Sequence, residues 1–182
     1  MQAGYNEPSY WIAENMDKEI VYRDAERSDL ARIVEIYNST IASRMVTADT
    51  EPVSVQSREK WFYEHSSTHR PLWVMQLQGE IVGWVSFQSF YGRPAYNGTV
   101  EISIYLDPNQ RGKGLGKKAL AYSISKAPAL GVDTLVGFIF AHNEPSLKLF
   151  SYFGFQQWAH MPNIAVMDGK EYSLKILGKR IA

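Results

Sequence analysis

Thr99-Val100-Glu101-Ile102-Ser103-Ile104-Tyr105-Leu106, followed across Asp107-Pro108-Asn109 by Gln110-Arg111-Gly112-Lys113-Gly114-Leu115-Gly116-Lys117-Lys118, decides how this chain is read. The first run alternates, so it is a strand whose Val100, Ile102, Ile104 and Leu106 face the core. Thr99, Glu101, Ser103 and Tyr105 face the other way and carry the chemistry-capable groups. The second run holds four cations, no acid and three glycines between that strand and a helix over residues 114–126. Glycines let backbone N–H groups approach a diphosphate, a helix N-terminus adds partial positive charge, and the cations neutralise the phosphates. A flexible basic surface turn is the bland alternative, and the strand before and helix after favour the anion site.

Two common nucleotide motifs do not fit. A P-loop needs Gly-Lys followed by Ser or Thr, and Gly116-Lys117 is followed by Lys118. A dinucleotide fingerprint needs a parallel strand–helix–strand unit near the start of its fold, whereas these glycines follow an antiparallel meander. The phosphates belong to another cofactor.

Working outward, residues 20–23 read as a strand. Ser28 is the expected N-cap of a helix carrying Leu30, Ile33, Val34, Tyr37 and Ile41 at helical spacing. A polar stretch over 43–53 leads to a short helix over 57–65. Runs 72–77 and 81–90 read as a hairpin around Gln78-Gly79-Glu80. Gly131 ends the helix over 114–126, and a strand over 134–140 follows. Asn143-Glu144-Pro145-Ser146 opens the next helix, with Gly154 as its C′ residue. Final strands are expected over 155–160 and 171–177, with Asp168-Gly169 as a turn. The pattern is of the α+β class (mixed α/β), a central, mostly antiparallel sheet flanked by helices. Trp61, Phe62, Trp73, Trp84, Phe87 and Phe138 read as core or pocket wall.

The chain has 182 residues, which suits one domain, expected over 20–182 behind an arm of residues 1–19. Nineteen basic and nineteen acidic side chains cancel, so no global field draws it to nucleic acid or an anionic membrane. With no cysteine and four scattered histidines, no metal site and no cysteine nucleophile are expected. No apolar run is long enough to span a bilayer, and the first twenty residues hold no apolar signal core. A cytoplasmic protein is the expectation.

Arg111-Gly112-Lys113-Gly114-Leu115-Gly116 resembles the pyrophosphate loop of the GNAT superfamily of acetyl-CoA-dependent N-acetyltransferases. Asn143-x-x-Ser146 followed by Gly154-Phe155 is similar to that superfamily's second cofactor segment, and the element order over 20–177 matches. Within it, Tyr37-Asn38, Thr50-Glu51-Pro52, Arg93-x-x-Tyr96 and Thr99-x-Glu101 resemble the phosphinothricin and methionine sulfoximine N-acetyltransferase group. The resemblance implies the GNAT fold, acetyl-CoA as co-substrate without a metal, a small-molecule amine acceptor and a homodimer. Backbone groups at Tyr105 and Leu106 would hold the pantetheine arm, Arg111, Gly112, Lys113, Gly114, Leu115, Gly116 and Lys117 the pyrophosphate, and Asn143 and Ser146 would complete the slot.

From the residues alone, Glu101 is either a general base or a solvated strand glutamate, and the resemblance points to the base. Arg93 reads equally as a guanidinium for the acceptor's carboxylate or as a surface side chain; the resemblance favours the first, with Tyr96 beside it. Phe150 departs from the pattern, standing where the superfamily has a Tyr and the phosphinothricin enzymes a His. The thiolate then leaves without a protein acid, or Tyr152 or water serves. His142, at a strand end, reads as structural. The resulting expectation is acetyl transfer to the α-amine of an amino-acid-like acceptor by direct attack in a ternary complex. The alternatives are an N-acetyltransferase of protein N-termini or polyamines, and a non-catalytic acyl-CoA-binding module.

Overall fold

The computed structural model describes residues 19–181, so the expected arm lies outside the described residues except for Glu19. Seven strands form one sheet: β1 (Val21–Asp24), β2 (Leu72–Leu77), β3 (Glu80–Ser89), β4 (Thr99–Leu106), β5 (Thr134–Phe140), β6 (Gln156–Met167) and β7 (Lys170–Arg180). Their order is β1-β2-β3-β4-β5-β7-β6. Among the described residues four α-helices flank it: α1 (Leu30–Ile41), α2 (Glu59–Tyr63), α3 (Leu115–Lys126) and α4 (Glu144–Tyr152). No described helix is long and apolar enough to cross a membrane.

Every pairing is antiparallel except β4 with β5, and that parallel contact runs only from Thr99↔Thr134 to Glu101↔Val136. Beyond Glu101 each strand keeps its other partner, β4 with β3 and β5 with β7. The sheet is therefore parted in its middle, and a cavity of about 140 Å³ lies between Ile102–Leu106 on one side and Gly137–Ile139 on the other.

Both faces of the sheet are packed. Ile102, Val100, Phe87 and Leu135 meet Leu115, Ala119 and Leu120 of α3, together with Leu147 and Phe150 of α4. On the opposite face Leu30, Ile33, Val34 and Ile36 of α1 meet Leu72, Val74 and Trp84. Each such fully buried aliphatic contributes about 1.5–3 kcal/mol. The non-core face of β4 is thus a second, smaller core, and Glu101, Ser103 and Tyr105 point beneath α1 rather than into solvent.

Local chemistry departs from the sequence reading at two ends. A 3₁₀ turn, Arg27–Asp29, precedes α1, and Asp29 rather than Ser28 brackets it. The Asp29 carboxylate accepts from the Glu26 N–H at 2.7 Å and from both Arg23 Nη atoms at 2.7 and 2.9 Å, which keeps its pKa low. Strand β6 runs well past residue 160, because register shifts between Gln157/Ala159 and Met161/Ala165 absorb Pro162 and Asn163 as bulges. Elsewhere strands 72–77, 99–106 and 134–140 form as expected, and Gln78 and Gly79, both at positive φ, close the β2–β3 hairpin.

Candidate active site

Strand β4 delivers the chain to the loop that opens α3. Gly112 and Gly114 both sit at φ +75°, with no atom within 4 Å of where a Cβ would stand, so backbone rather than side chain forms the cradle. Gly114 is the N-cap of α3, leaving that helix's first N–H groups directed at the loop. Tyr105, Leu106, Arg111, Gly112, Gly114, Leu115, Gly116, Lys117, Asn143 and Ser146 all line one groove of about 530 Å³ between α3 and α4. Ten residues expected from sequence to hold the cofactor therefore converge. The eleventh, Lys113, does not line the groove; its Nζ donates to Gln110 Oε1 at 2.8 Å.

Asn143 is present for a reason other than donating to a ligand. Its Oδ1 accepts from the Ser146 N–H at 3.3 Å, capping α4, and its Nδ2 donates to the Met45 carbonyl at 3.0 Å. Lys117 carries its ammonium 3.8 Å above the Tyr152 ring. A would-be Cβ on Gly116 meets Leu149 at 3.2 Å, so glycine there permits the close approach of α3 to α4.

The second space lies beneath α1 and α2. Glu101, Arg58, Tyr37, Trp61, Trp84, Ser86, Gln88, Ser103 and Tyr105 line a cavity of about 160 Å³, closed below by Ile33, Val34 and Val53. Trp84 stacks on Tyr105 at 4.5 Å and donates its indole N–H to the Ile33 carbonyl at 3.0 Å, which fixes the wall. Burial raises the Glu101 pKa above the ordinary carboxylate value, and no described residue forms an ion pair with it. Burial, with the Tyr37 hydroxyl next in weight, likewise raises Tyr105. Ser103 lines both this cavity and the one between β4 and β5, and Tyr105 lines those two and the groove. Tyr105 is thus a wall common to all three spaces, and Ser103 a wall common to the two cavities.

Arg93 and Tyr96 fall outside the cavity that Glu101 lines. Arg93 is exposed with its guanidinium 5.8 Å over Tyr91, and Tyr96 packs edge-on against Phe90 and Tyr91. Buried Arg70 holds that loop through the Asn97 carbonyl at 2.8 Å and Ser89 Oγ at 2.9 Å. His142 Nε2 contacts the Arg44 carbonyl at 2.8 Å, and its ring packs on Phe140 and Tyr172, a structural role. Phe150 lines the cavity between β4 and β5, held against Gly137 and Phe155. Tyr152 is exposed under Lys117 and does not line that cavity.

Arg58 and Asp49 were not singled out from the sequence. Arg58 donates to Asp49 at 2.9 Å, and Asp49 also accepts from the Tyr37 hydroxyl. Arg58 and Trp61 are one helical turn apart, a spacing that could have flagged an arginine stacked on an aromatic wall.

The acetyltransferase (GNAT) family model matches residues 33–155. The chain is 55% identical over 161 residues to YwnH of Bacillus subtilis strain 168, provisionally named a phosphinothricin acetyltransferase, covering 88% of this chain and 98% of that one. It is 31% identical to an L-methionine sulfoximine/L-methionine sulfone acetyltransferase of Pseudomonas paraeruginosa, covering 85% and 91% respectively. Among solved structures, a GNAT superfamily phosphinothricin acetyltransferase from Sinorhizobium meliloti in complex with acetyl-CoA superposes with a TM-score of 0.82. It is 28% identical and covers 88% of both chains.

Proposed function

This chain belongs to the acetyltransferase (GNAT) family, and we propose from that premise that it moves acetyl from acetyl-CoA to the α-amine of a small amino-acid-like acceptor of the phosphinothricin or methionine sulfoximine type. The observation that carries this reading is that Tyr105 lines both a carboxylate-bearing cavity and a groove that contains a glycine cradle, which sets the two side by side. The residues fit the cofactor: two glycines at positive φ, the α3 N-terminus and Arg111 offer a diphosphate N–H donors and positive charge together. Bound there, acetyl-CoA supplies an activated acyl carbon.

The chain's own part follows from its geometry. Strand alternation puts Glu101 on the same face as Ser103 and Tyr105, so an amine held by the carboxylate lies in the cavity that these two also line. An ammonium group does not attack; Glu101 removes its proton directly or through one water. A base in a half-buried site holds its proton more tightly than an exposed glutamate, which suits it to an amine donor. The aromatic walls limit water around the reacting amine. With Phe150 in place of a hydroxyl or imidazole, water or the departing thiol's own low basicity completes the step. No covalent enzyme intermediate is required.

The reading carries with it a cytoplasmic homodimer. Exposed Trp158, Ile164 and Val166 on the outermost strand β6 supply apolar surface for a second copy, and sedimentation at the monomer mass alone would remove that part. The decisive experiment is acetyl-CoA-dependent thiol release screened over methionine sulfoximine, methionine sulfone, phosphinothricin, ordinary amino acids, polyamines and short peptides. Release with free amino-acid-like acceptors is expected. Release confined to polyamines or peptides overturns the acceptor class, and coenzyme binding without release on any acceptor favours a binding module.

A further inference from the structure

An α-amino acid carries its amine and its carboxylate on one carbon, so nitrogen and carboxylate oxygen stay within roughly 3–4 Å of each other. The group that grips the carboxylate must then line the same cavity as the group that takes the amine's proton. Arg58 is the single cation among the described residues that line the cavity containing Glu101. Arg93, the arginine the sequence suggested for this task, does not line it.

We propose that Arg58 binds the carboxylate of the acceptor while Glu101 receives its ammonium, so that the cavity selects a free α-amino acid by the spacing of its two charges. The inference rests on the acceptor class proposed above and assigns the residue that reads it. A guanidinium offers five N–H donors in a planar fork. Asp49 takes one, at 2.9 Å from Nη2, and no other described side chain accepts from the group. The side chain is 27% exposed, so the remaining donors are within reach of a ligand.

Its position is fixed before any ligand arrives. The guanidinium lies 4.8 Å above the Tyr37 ring and 6.0 Å from the Trp61 ring, and Tyr37 in turn donates to Asp49. Asp49 neutralises Arg58 without covering it, so a second carboxylate completes a fork that is half used. Glu101 lines the same cavity, and the pair offers a zwitterion one negative and one positive partner. The acceptor's side chain is left to Val53, Ile33 and the two tryptophan rings.

The test compares an amino acid that the wild type acetylates with its α-carboxamide, reading acceptor kcat/KM in wild type, Arg58→Gln, Arg58→Lys, Asp49→Asn and Arg93→Ala. Variant-to-wild-type ratios cancel the different basicity of the two amines. Arg58→Gln should lower kcat/KM for the carboxylate by about ten- to hundredfold through KM, the usual loss for a charge-assisted hydrogen bond. The carboxamide and the acetyl-CoA KM should stay within about twofold. Arg58→Lys keeps the charge and loses the fork, so it should show a smaller loss with the same carboxylate dependence; it also decides the matter if Arg58→Gln folds poorly. Asp49→Asn should leave the carboxylate preference in place. Equal losses on both acceptors would mean that Arg58 only staples α2 to α1 and would overturn the proposal. A carboxylate-dependent loss at Arg93 and none at Arg58 overturns it as well. Wild-type release that ignores the carboxylate sinks this inference alone, whereas no release with any amino acid sinks the acceptor class together with it.

Discussion

Glu101 sits where activity and stability oppose each other. Burial raises its pKa, so the folded chain holds a proton that the unfolded chain releases earlier, and the site's contribution to stability is present at low pH and is lost as pH rises through the folded value. Glu101→Gln removes that ionisation. Its melting temperature should exceed wild type at pH 8 and match it at pH 4, which calorimetry reads directly; a lower value at pH 8 would contradict the burial argument. The same variant should lose about 10²–10⁴ in kcat while binding acetyl-CoA normally. In wild type the acid limb of kcat/KM should fall above the ordinary glutamate range of about 4.3, and in the Gln variant the rate should simply climb with deprotonation of the amine. Near wild-type kcat in Glu101→Gln would leave the carboxylate without a role in proton removal. At this scale the sequence was legible where the signal is local. Alternation placed Glu101, Ser103 and Tyr105 on one face, and the glycine run placed the groove. Arg58 and Asp49 were not legible, because their meaning depends on the polar segment after α1 folding back over Tyr37. Asn143 was legible as a motif and not as a cap tied to Met45, a contact 98 residues away along the chain.

Among elements, the loop that opens α3 is the most exacting. Gly114 holds φ +75° with open space around it, so substitution is opposed by backbone conformation alone. Gly114→Val should cost the loop about 1–3 kcal/mol in its present form. Turning the loop out of the groove relieves that strain and lowers coenzyme A affinity by about ten- to hundredfold, with the fold intact by circular dichroism. Unchanged affinity by titration calorimetry would remove the cradle from the cofactor site. Strand β5 and helix α4 meet on equally tight terms. A Cβ on Gly137 would stand 2.6 Å from Phe150 Cε1, and that ring is buried. Gly137→Ala should therefore destabilise by about 1–3 kcal/mol through overpacking and push the ring toward the cavity between β4 and β5. An accompanying rise in the acetyl-CoA KM is expected, and an unaltered melting temperature and KM would show that the ring has room. Strands were readable to the residue where alternation marks them, as in β4, or where an apolar β-rich run is bounded by turn residues, as in β2 and β5. β6 was expected only to residue 160, and its continuation through Pro162 and Asn163 as bulges depends on pairing with β7. Ser28 lies inside the 3₁₀ turn, where Asp29, held by Arg23 on β1, reaches back to the Glu26 N–H as the far member of a capping box.

Across the whole molecule, the order of elements and the mostly antiparallel sheet could be read from the chain, whereas the parting of that sheet could not. No residue in β4 or β5 announces where their pairing stops; the parallel rungs end at Glu101↔Val136 while the β3–β4 and β5–β7 ladders run on. Contacts distant in sequence then brace the two sides, among them Arg44 with Asp168, at 2.7 and 3.1 Å, which ties the end of α1 to the β6–β7 turn. An ordinary open sheet has two edges where backbone N–H and C=O groups lack a ladder partner, and this one has four, two of them facing each other inside the molecule. Interior edges are open to solvent exchange and to adventitious strands alike. An extended, amide-bearing ligand lying along them would act as a substitute strand, so coenzyme A should slow amide hydrogen exchange along residues 102–106 far more than along Trp73–Gln76 of β2, which pair with strands on both sides. Equal slowing in the two strands would mean that the ligand tightens the molecule generally and fills no missing rung.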